Sequence, residues 1–431
     1  MIIEYLESNE RLSAANLTRK STANSEAAQV AADIIAAVRE RGDEALAAYT
    51  REFDHAERKA LAVSAAEIES ARRSTTAAVK EALTAAADSI RSFHQRQVSQ
   101  SWFVTRPDGA LIGSKVTPLN SVGIYVPGGR AAYPSTVLMN AIPALVAGVE
   151  RIVMVTPPKS DGSVDDAILA AADMLGITEI YAVGGAQAIA ALAYGTESIE
   201  AVDKIVGPGN AYVAAAKRLV SSDVGIDMVA GPSEVCVLAD ESADARLVAI
   251  DLLAQAEHDP DAHTYLVTTD ENLVDEVIEY IEELLSHSPR QEITKQAIDD
   301  HCLVLIVDDL PTAIDAVNDI APEHLEIQME QPLQLLGLIK NAGAIFLGPF
   351  TPESVGDYIA GPNHTLPTGG TARWASPLSV DDFVKRSSVI SYSYAALEND
   401  AAHIIDLAKT EGLWAHGRAV ELRFEDEENQ A

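Results

Sequence analysis

A chain of 431 residues, at roughly 150 residues per domain, makes two to four packed units meeting around a cleft. Hydrophobic residues at 48% and charged residues at 22% exclude wholesale disorder. The formal charge of -34, from 31 Lys+Arg against 65 Asp+Glu, argues against a nucleic-acid partner, because phosphate backbones are held by clustered Lys and Arg; the acidity reads first as a well-solvated surface. Only Cys236 and Cys302 are present, so neither a disulfide framework nor a CxxC zinc site is expected. Met1 to Glu7 lacks the basic and apolar stretches of a signal peptide, and no apolar run approaches membrane-spanning length, so the expected location is the cytoplasm and no membrane partner is expected.

From about Ser25 to Phe93 apolar residues recur at helical spacing, as in Val30, Ile34, Ile35 and Val38. Between about Gly123 and Val235, short β-branched runs (Val122 to Val126, Arg151 to Val155, Glu179 to Val183, Lys204 to Val206) alternate with Ala-rich helical stretches at Ala186 to Tyr194 and Ala211 to Val220. Such alternation predicts an α/β fold with a parallel sheet covered on both faces. A second series (Val235 to Leu238, His263 to Val267, Leu303 to Val307, Ala344 to Leu347), with a helix at Asn272 to Leu285, predicts a second α/β unit. The stretch after Gly361, rich in Gly, Pro, Thr and Ser, reads as a functional loop, and a helical tail with an acidic end closes the chain.

Six places carry chemistry. Gly184-Gly185-Ala186-Gln187 and Gly207-Pro208-Gly209-Asn210 each turn a strand into a helix through glycines, leaving N–H groups free for an anion such as a pyrophosphate; either alone is as easily structural, since neither has full GxGxxG spacing. Gln255 and His258 fall three apart on the last turn of a helix that begins near Asp244 and ends before Pro260, and could reach a metal at its carbonyl end; a lone QxxH is more often a surface polar pair. In Ala321-Pro322-Glu323-His324 the proline looks like a first-turn residue, which predicts Glu323 and His324 at a helix start, with the imidazole neutral and able to act as a base. Asp357 and His364, then Glu411 and His416, supply two more carboxylate–imidazole pairs without standard zinc spacing. HExxH, GxxxxGK[ST], GxSxG and the zinc-deaminase signature do not occur.

In order and spacing, Val122 to Gly129, Gly184 to Gln187, Gly207 to Asn210, Ala230-Gly231-Pro232-Ser233-Glu234, Gln255 to His258, Ala321 to Leu325 and Gly361 to His364 together resemble the histidinol dehydrogenase family over nearly the whole chain. The resemblance implies two Rossmann-like parallel-sheet domains with an N-terminal arm (1–23) and a small C-terminal helical domain (377–431). It implies a metal/substrate domain from 24–126 with 234–376, and an NAD-binding domain from 127–233. It further implies a homodimer with shared active sites and one Zn2+ per subunit, held by Gln255, His258, Asp357 and His416. Glu323 and His324 resemble the catalytic pair. Ser233, His364 and Glu411, together with the zinc ligands and His324, resemble substrate contacts, and Tyr125, Gln187 and Asn210 resemble NAD contacts.

The implied reaction is the two-step, four-electron oxidation of L-histidinol through L-histidinaldehyde to L-histidine, the last steps of histidine biosynthesis. A same-scaffold dehydrogenase of another small alcohol, such as a sulfonated diol, is the alternative; inhibition by histidine or imidazole separates the two. A non-catalytic metal- or nucleotide-binding protein is a further alternative, against which the Glu323/His324 pair argues.

Overall fold

The structure is a computed structural model and describes residues 1–12, 17, 25–128 and 132–428. Gly129 of the first glycine-rich motif, much of the 1–23 segment and the last three residues of the acidic end lie outside these.

In chain order, strand β1 (Ile2–Leu6) precedes helices α1 (Ser25–Arg41), α2 (Asp43–Phe53), α3 (Ala65–Ser74) and α4 (Ala77–His94), then strands β2 (Trp102–Thr105) and β3 (Leu111–Pro118). The first alternating series is β4 (Ser121–Tyr125), α5 (Pro134–Ala147), β5 (Arg151–Thr156), α6 (Asp166–Met174), β6 (Glu179–Ala182), α7 (Gly185–Tyr194), β7 (Lys204–Val206), α8 (Ala211–Val220) and β8 (Gly225–Ile226). The second is β9 (Glu234–Ala239), α9 (Ala245–Ala256), β10 (His263–Thr268), α10 (Glu271–Leu285), α11 (Gln291–His301), β11 (Cys302–Val307), α12 (Leu310–Ile320), β12 (His324–Gln328), β13 (Ala344–Leu347) and α13 (Glu353–Tyr358). Strand β14 (Val384–Ser391) and helices α14 (Tyr394–Thr410) and α15 (Trp414–Glu428) follow.

The chain divides into two compact units, Met1–Gln97 with Leu119–Phe383, and Val98–Pro118 with Val384–Ala431. The first holds two all-parallel sheets: a five-stranded one in the order β6-β5-β4-β7-β8 and a six-stranded one in the order β1-β11-β10-β9-β12-β13. Both are covered on two faces, which is why most of their strands are apolar runs rather than alternating. Successive side chains still go to opposite cores. Ile124 and Met154 join a cluster with α5 and α6, whereas Tyr125, Val153 and Val155 join one with α1, α7 and α8. Likewise Val235 and Val237 face α9 and α10, while Cys236 and Leu238 face α12. Aspartate caps start α9 (Asp244), α10 (Asp270) and α12 (Asp309), satisfying first-turn N–H groups.

The second unit is an antiparallel sheet in the order β14-β3-β2 with the helix pair α14 and α15, where Tyr394 meets Phe424 edge-on at 5.3 Å.

The expected α/β class holds, with several differences in detail. Helices α1, α3 and α4 and strand β4, grouped by the resemblance with residues 234–376, pack instead with the five-stranded sheet: α1 on α7 and α8, α3 on α6, α4 on α5. The N-terminal segment contributes β1, which extends the six-stranded sheet beside β11. Residues 384–391 are a strand, so the C-terminal piece is not wholly helical. The helix start expected at Ala321-Pro322 is instead a helix end. Ala321 is the left-handed C-cap of α12 (φ 49°), Pro322 stops the helix, and His324 opens strand β12.

Candidate active site

Along the carbonyl edge of the five-stranded sheet, β4, β6 and β7 deliver Tyr125 and the two glycine turns. The buried Tyr125 hydroxyl accepts the Gly185 N–H (3.1 Å), and burial pushes its pKa up to about 12. Gln187, in the first turn of α7, is 1% exposed, and neither its Nε2 nor its Oε1 has a partner among the described residues. Leaving a buried amide unsatisfied is costly, so this side chain fits a site for a hydrogen-bonding ligand beside a helix N-terminus. Asn210 caps α8, its Oδ1 accepting from Tyr212 and Val213 N–H (3.1 Å each). Gly207 (φ 113°) lies so close to the Tyr125 carbonyl that a Cβ would collide with it. Its N–H donates to Asp227 Oδ2 (2.8 Å), its carbonyl accepts from Lys217 Nζ (2.9 Å), and Lys217 and Asp227 form a buried ion pair.

At the amino edge of the six-stranded sheet, α9 has run back from β9 and ends beside the first residues of β9 and β12. Glu323 and His324 hold opposite ends of one residue. Glu323 Oε2 accepts the Glu234 N–H (2.9 Å), and His324 Nδ1 donates to the Glu234 carbonyl (3.1 Å). Because a carbonyl can only accept, that contact fixes the proton on Nδ1 and leaves Nε2 as the basic nitrogen. His324 Nε2 is buried, has no hydrogen-bond partner among the described residues, and lies 4.0 Å from Glu353 Oε1. Burial lowers the His324 pKa to about 4, which keeps the imidazole neutral, and pushes the Glu323 carboxyl well above the usual carboxylate range despite its N–H contact. Gly343 lets the chain entering β13 pass against Glu323, where a Cβ would lie 2.5 Å from the Glu323 carbonyl oxygen.

Next to this pair, one ligand atom each of His258, Glu353 and Asp357 lies within 4.8 Å of the others. Gln255 joins them, one end of its side-chain amide lying 3.2 Å from each of Glu353 Oε2, His324 Nδ1 and the Glu234 carbonyl. Burial, then Asp357, Glu323 and Glu326, raises the Glu353 carboxyl well above its ordinary range. A cation would relieve that crowding, and the nitrogen and oxygen donors suit a catalytic zinc site. His364 Nδ1 donates to the Asp357 carbonyl (3.1 Å), and burial lowers its pKa. Ser233 precedes β9 at the same edge, its carbonyl accepting from His263 (2.9 Å).

The first unit therefore brings together Gln255, His258, Glu323, His324, Asp357 and His364. Glu411, the C-cap of α14, and His416, on α15, belong to the second unit. Glu353 was missed from sequence, although Glu353 and Asp357 stand four apart, the spacing that stacks two side chains on one helical face. Glu234, whose backbone orients both Glu323 and His324, has no sequence signal for that role.

Fold and site define the class: a two-sheet α/β enzyme with a buried His–Glu pair beside a cluster of nitrogen and oxygen ligands. The sequence matches the histidinol dehydrogenase family over residues 17–424. It is 56% identical over 394 residues to the histidinol dehydrogenase of Halalkalibacterium halodurans, covering 91% of this chain and 93% of that one. It is 54% identical over 390 residues to that of Bacillus subtilis, covering 90% and 91%. The structure matches the crystal structure of histidinol dehydrogenase from Elizabethkingia anophelis with a TM-score of 0.93 at 38% identity, over 99% of this chain and 98% of that one. This chain belongs to the histidinol dehydrogenase family. Among the described residues, no helix is long and apolar enough to cross a membrane.

Proposed function

We propose that this protein oxidises L-histidinol through L-histidinaldehyde to L-histidine in two zinc- and NAD-dependent steps, as a cytoplasmic homodimer. The observation that carries the reading is the neutral His324, its basic Nε2 unpartnered, beside the cluster of Gln255, His258, Glu353 and Asp357. Gln255, His258 and Asp357, with the partner subunit's His416 as the fourth ligand, would hold the metal. Tyr125, Gln187 and Asn210 would hold the dinucleotide. When bound, zinc would anchor the imidazole and amine of the substrate and NAD would accept hydride.

The residues of the chain do the rest. His324 Nε2 takes the hydroxyl proton as hydride leaves the same carbon, and the Glu234 carbonyl steadies the imidazole through Nδ1–H. Glu323 removes a proton from the water that adds to the aldehyde; its raised pKa makes it a stronger base once ionised. Ser233, His364 and Glu411 take the remaining polar groups of the substrate.

The reading is tested by counting NADH formed per histidinol consumed, with and without a zinc chelator. Two NADH, loss of turnover on chelation, and an unchanged far-UV circular dichroism spectrum are expected. One NADH per substrate, or full turnover by metal-free protein, overturns it.

A further inference from the structure

Strand β12 is buried at every position, yet its residues alternate: Leu325 and Ile327 enter the apolar cluster with α12, while His324, Glu326 and Gln328 share the other face. Glu326 is 0%, Gln328 4% and Asp251 6% exposed. Glu326 and Asp251 are hydrogen-bonded through their carboxyls, and Gln328 Nε2 donates to both, at 3.3 Å to Glu326 Oε2 and 3.2 Å to Asp251 Oδ2. The other Glu326 oxygen, Oε1, accepts the N–H of Glu353 (2.9 Å), the first residue of α13.

We propose that the buried Asp251–Glu326 carboxyl pair is a positioning device that sets the metal-ligand cluster by tying together the three elements that carry it. Asp251 lies one helical turn before Gln255 on α9, Glu326 two residues after His324 on the same face of β12, and Glu326 anchors the α13 segment bearing Glu353 and Asp357. Stability alone is a poor reason for such a pair, because well-packed apolar side chains of similar volume often hold buried elements at least as firmly. What apolar side chains cannot do is fix the distance between a backbone N–H on α13 and a carboxyl on α9. None of these three residues has a place among the ligands, so they act on the cluster from behind.

The inference rests on the metal reading above and is tested by zinc affinity, measured by competition with a chromophoric chelator. Loss of a partner that orients metal ligands typically costs about 10- to 100-fold in affinity, and Glu326→Leu is expected to fall in that range. Glu326→Gln keeps an acceptor for the Glu353 N–H and a donor for Asp251, and is expected to bind zinc as the wild type does. Should the leucine variant fail to fold, Asp251→Ala, which leaves Glu326 without its carboxyl partner, is expected to show the same loss. Zinc affinity unchanged in Glu326→Leu or Asp251→Ala, or reduced in Glu326→Gln as much as in Glu326→Leu, overturns the inference while leaving the metal site standing. Wild-type protein that takes up no zinc overturns the metal reading and this inference together.

Discussion

The Lys217–Asp227 pair offers a test of the architecture that needs no ligand. Both side chains are almost wholly buried, at 3% and 1% exposure, and between them they satisfy the N–H and the carbonyl of Gly207. Removing one member of a buried pair typically costs about 3–5 kcal/mol, because the other charge is left uncompensated. Asp227 would keep the N–H groups of Gly207 and Met228 (2.8 and 2.6 Å), which places Lys217→Met near the lower end, at about 3 kcal/mol. At 1.4 kcal/mol per factor of ten, that is on the order of a hundredfold in the folding equilibrium. Urea unfolding followed by circular dichroism, on Lys217→Met, Asp227→Asn and the double variant, measures it. The double variant should lose less than the sum of the singles by more than about 0.5 kcal/mol, since no buried charge remains unpaired. A Lys217→Met protein within about 0.5 kcal/mol of wild type, or strictly additive losses, would refute the reasoning.

Three further outcomes are expected. Gly343→Ala, whose methyl group meets the Glu323 backbone carbonyl oxygen at 2.5 Å and so forces the chain to shift, should lower thermal stability and cost turnover by on the order of tenfold or more; unaltered turnover would show that the contact does not set Glu323. In single-turnover measurements Glu323→Gln should be slowed more on histidinaldehyde than on histidinol, and His324→Gln on histidinol, by on the order of a hundred- to ten-thousandfold; equal losses of Glu323→Gln on both substrates would end the assigned division of roles. If active sites are shared within a homodimer, mixing His258→Ala with His416→Ala subunits should restore part of the activity, and verified heterodimers with none would count against sharing.

The parallel strands were legible because strands buried on both faces have to be apolar runs, and Ala344 to Leu347 was placed to the residue. Strand β12 was not, for a physical reason. Its face toward the site is His324, Glu326 and Gln328, and buried polar residues held by partners from other elements look in sequence like the charged first turn of a helix. The left-handed Ala321 that ends α12 is likewise invisible, since that conformation is ordinarily the work of glycine. Strands β2, β3 and β14 carry weaker signals because their exposed positions relax the demand for apolar residues. Of the site, residues inside ordered motifs could be listed from sequence, but the arrangement could not. That Glu323 and His324 grip the two ends of Glu234 depends on β9 and β12 being neighbours, a long-range pairing.

The two sheets of the first unit put opposite edges to work. At the five-stranded sheet the glycine turns lead into the N-termini of α7 and α8, where the positive end of the helix dipole favours an anion, as the pyrophosphate of the proposed dinucleotide requires. At the six-stranded sheet the relevant terminus is the carbonyl end of α9, which brings Gln255 and His258 with the negative end of its dipole, beside Glu323, Glu353 and Asp357. That field is unfavourable for a phosphate and favourable for a divalent cation and a substrate amine. In the proposed reaction a cofactor docked by its pyrophosphate would thus be held at one edge, and an amine-bearing substrate at the other. The neutral His324 suits this division: an imidazole protonated among those carboxylates would be locked in ion pairs, whereas burial keeps its Nε2 free to take a proton.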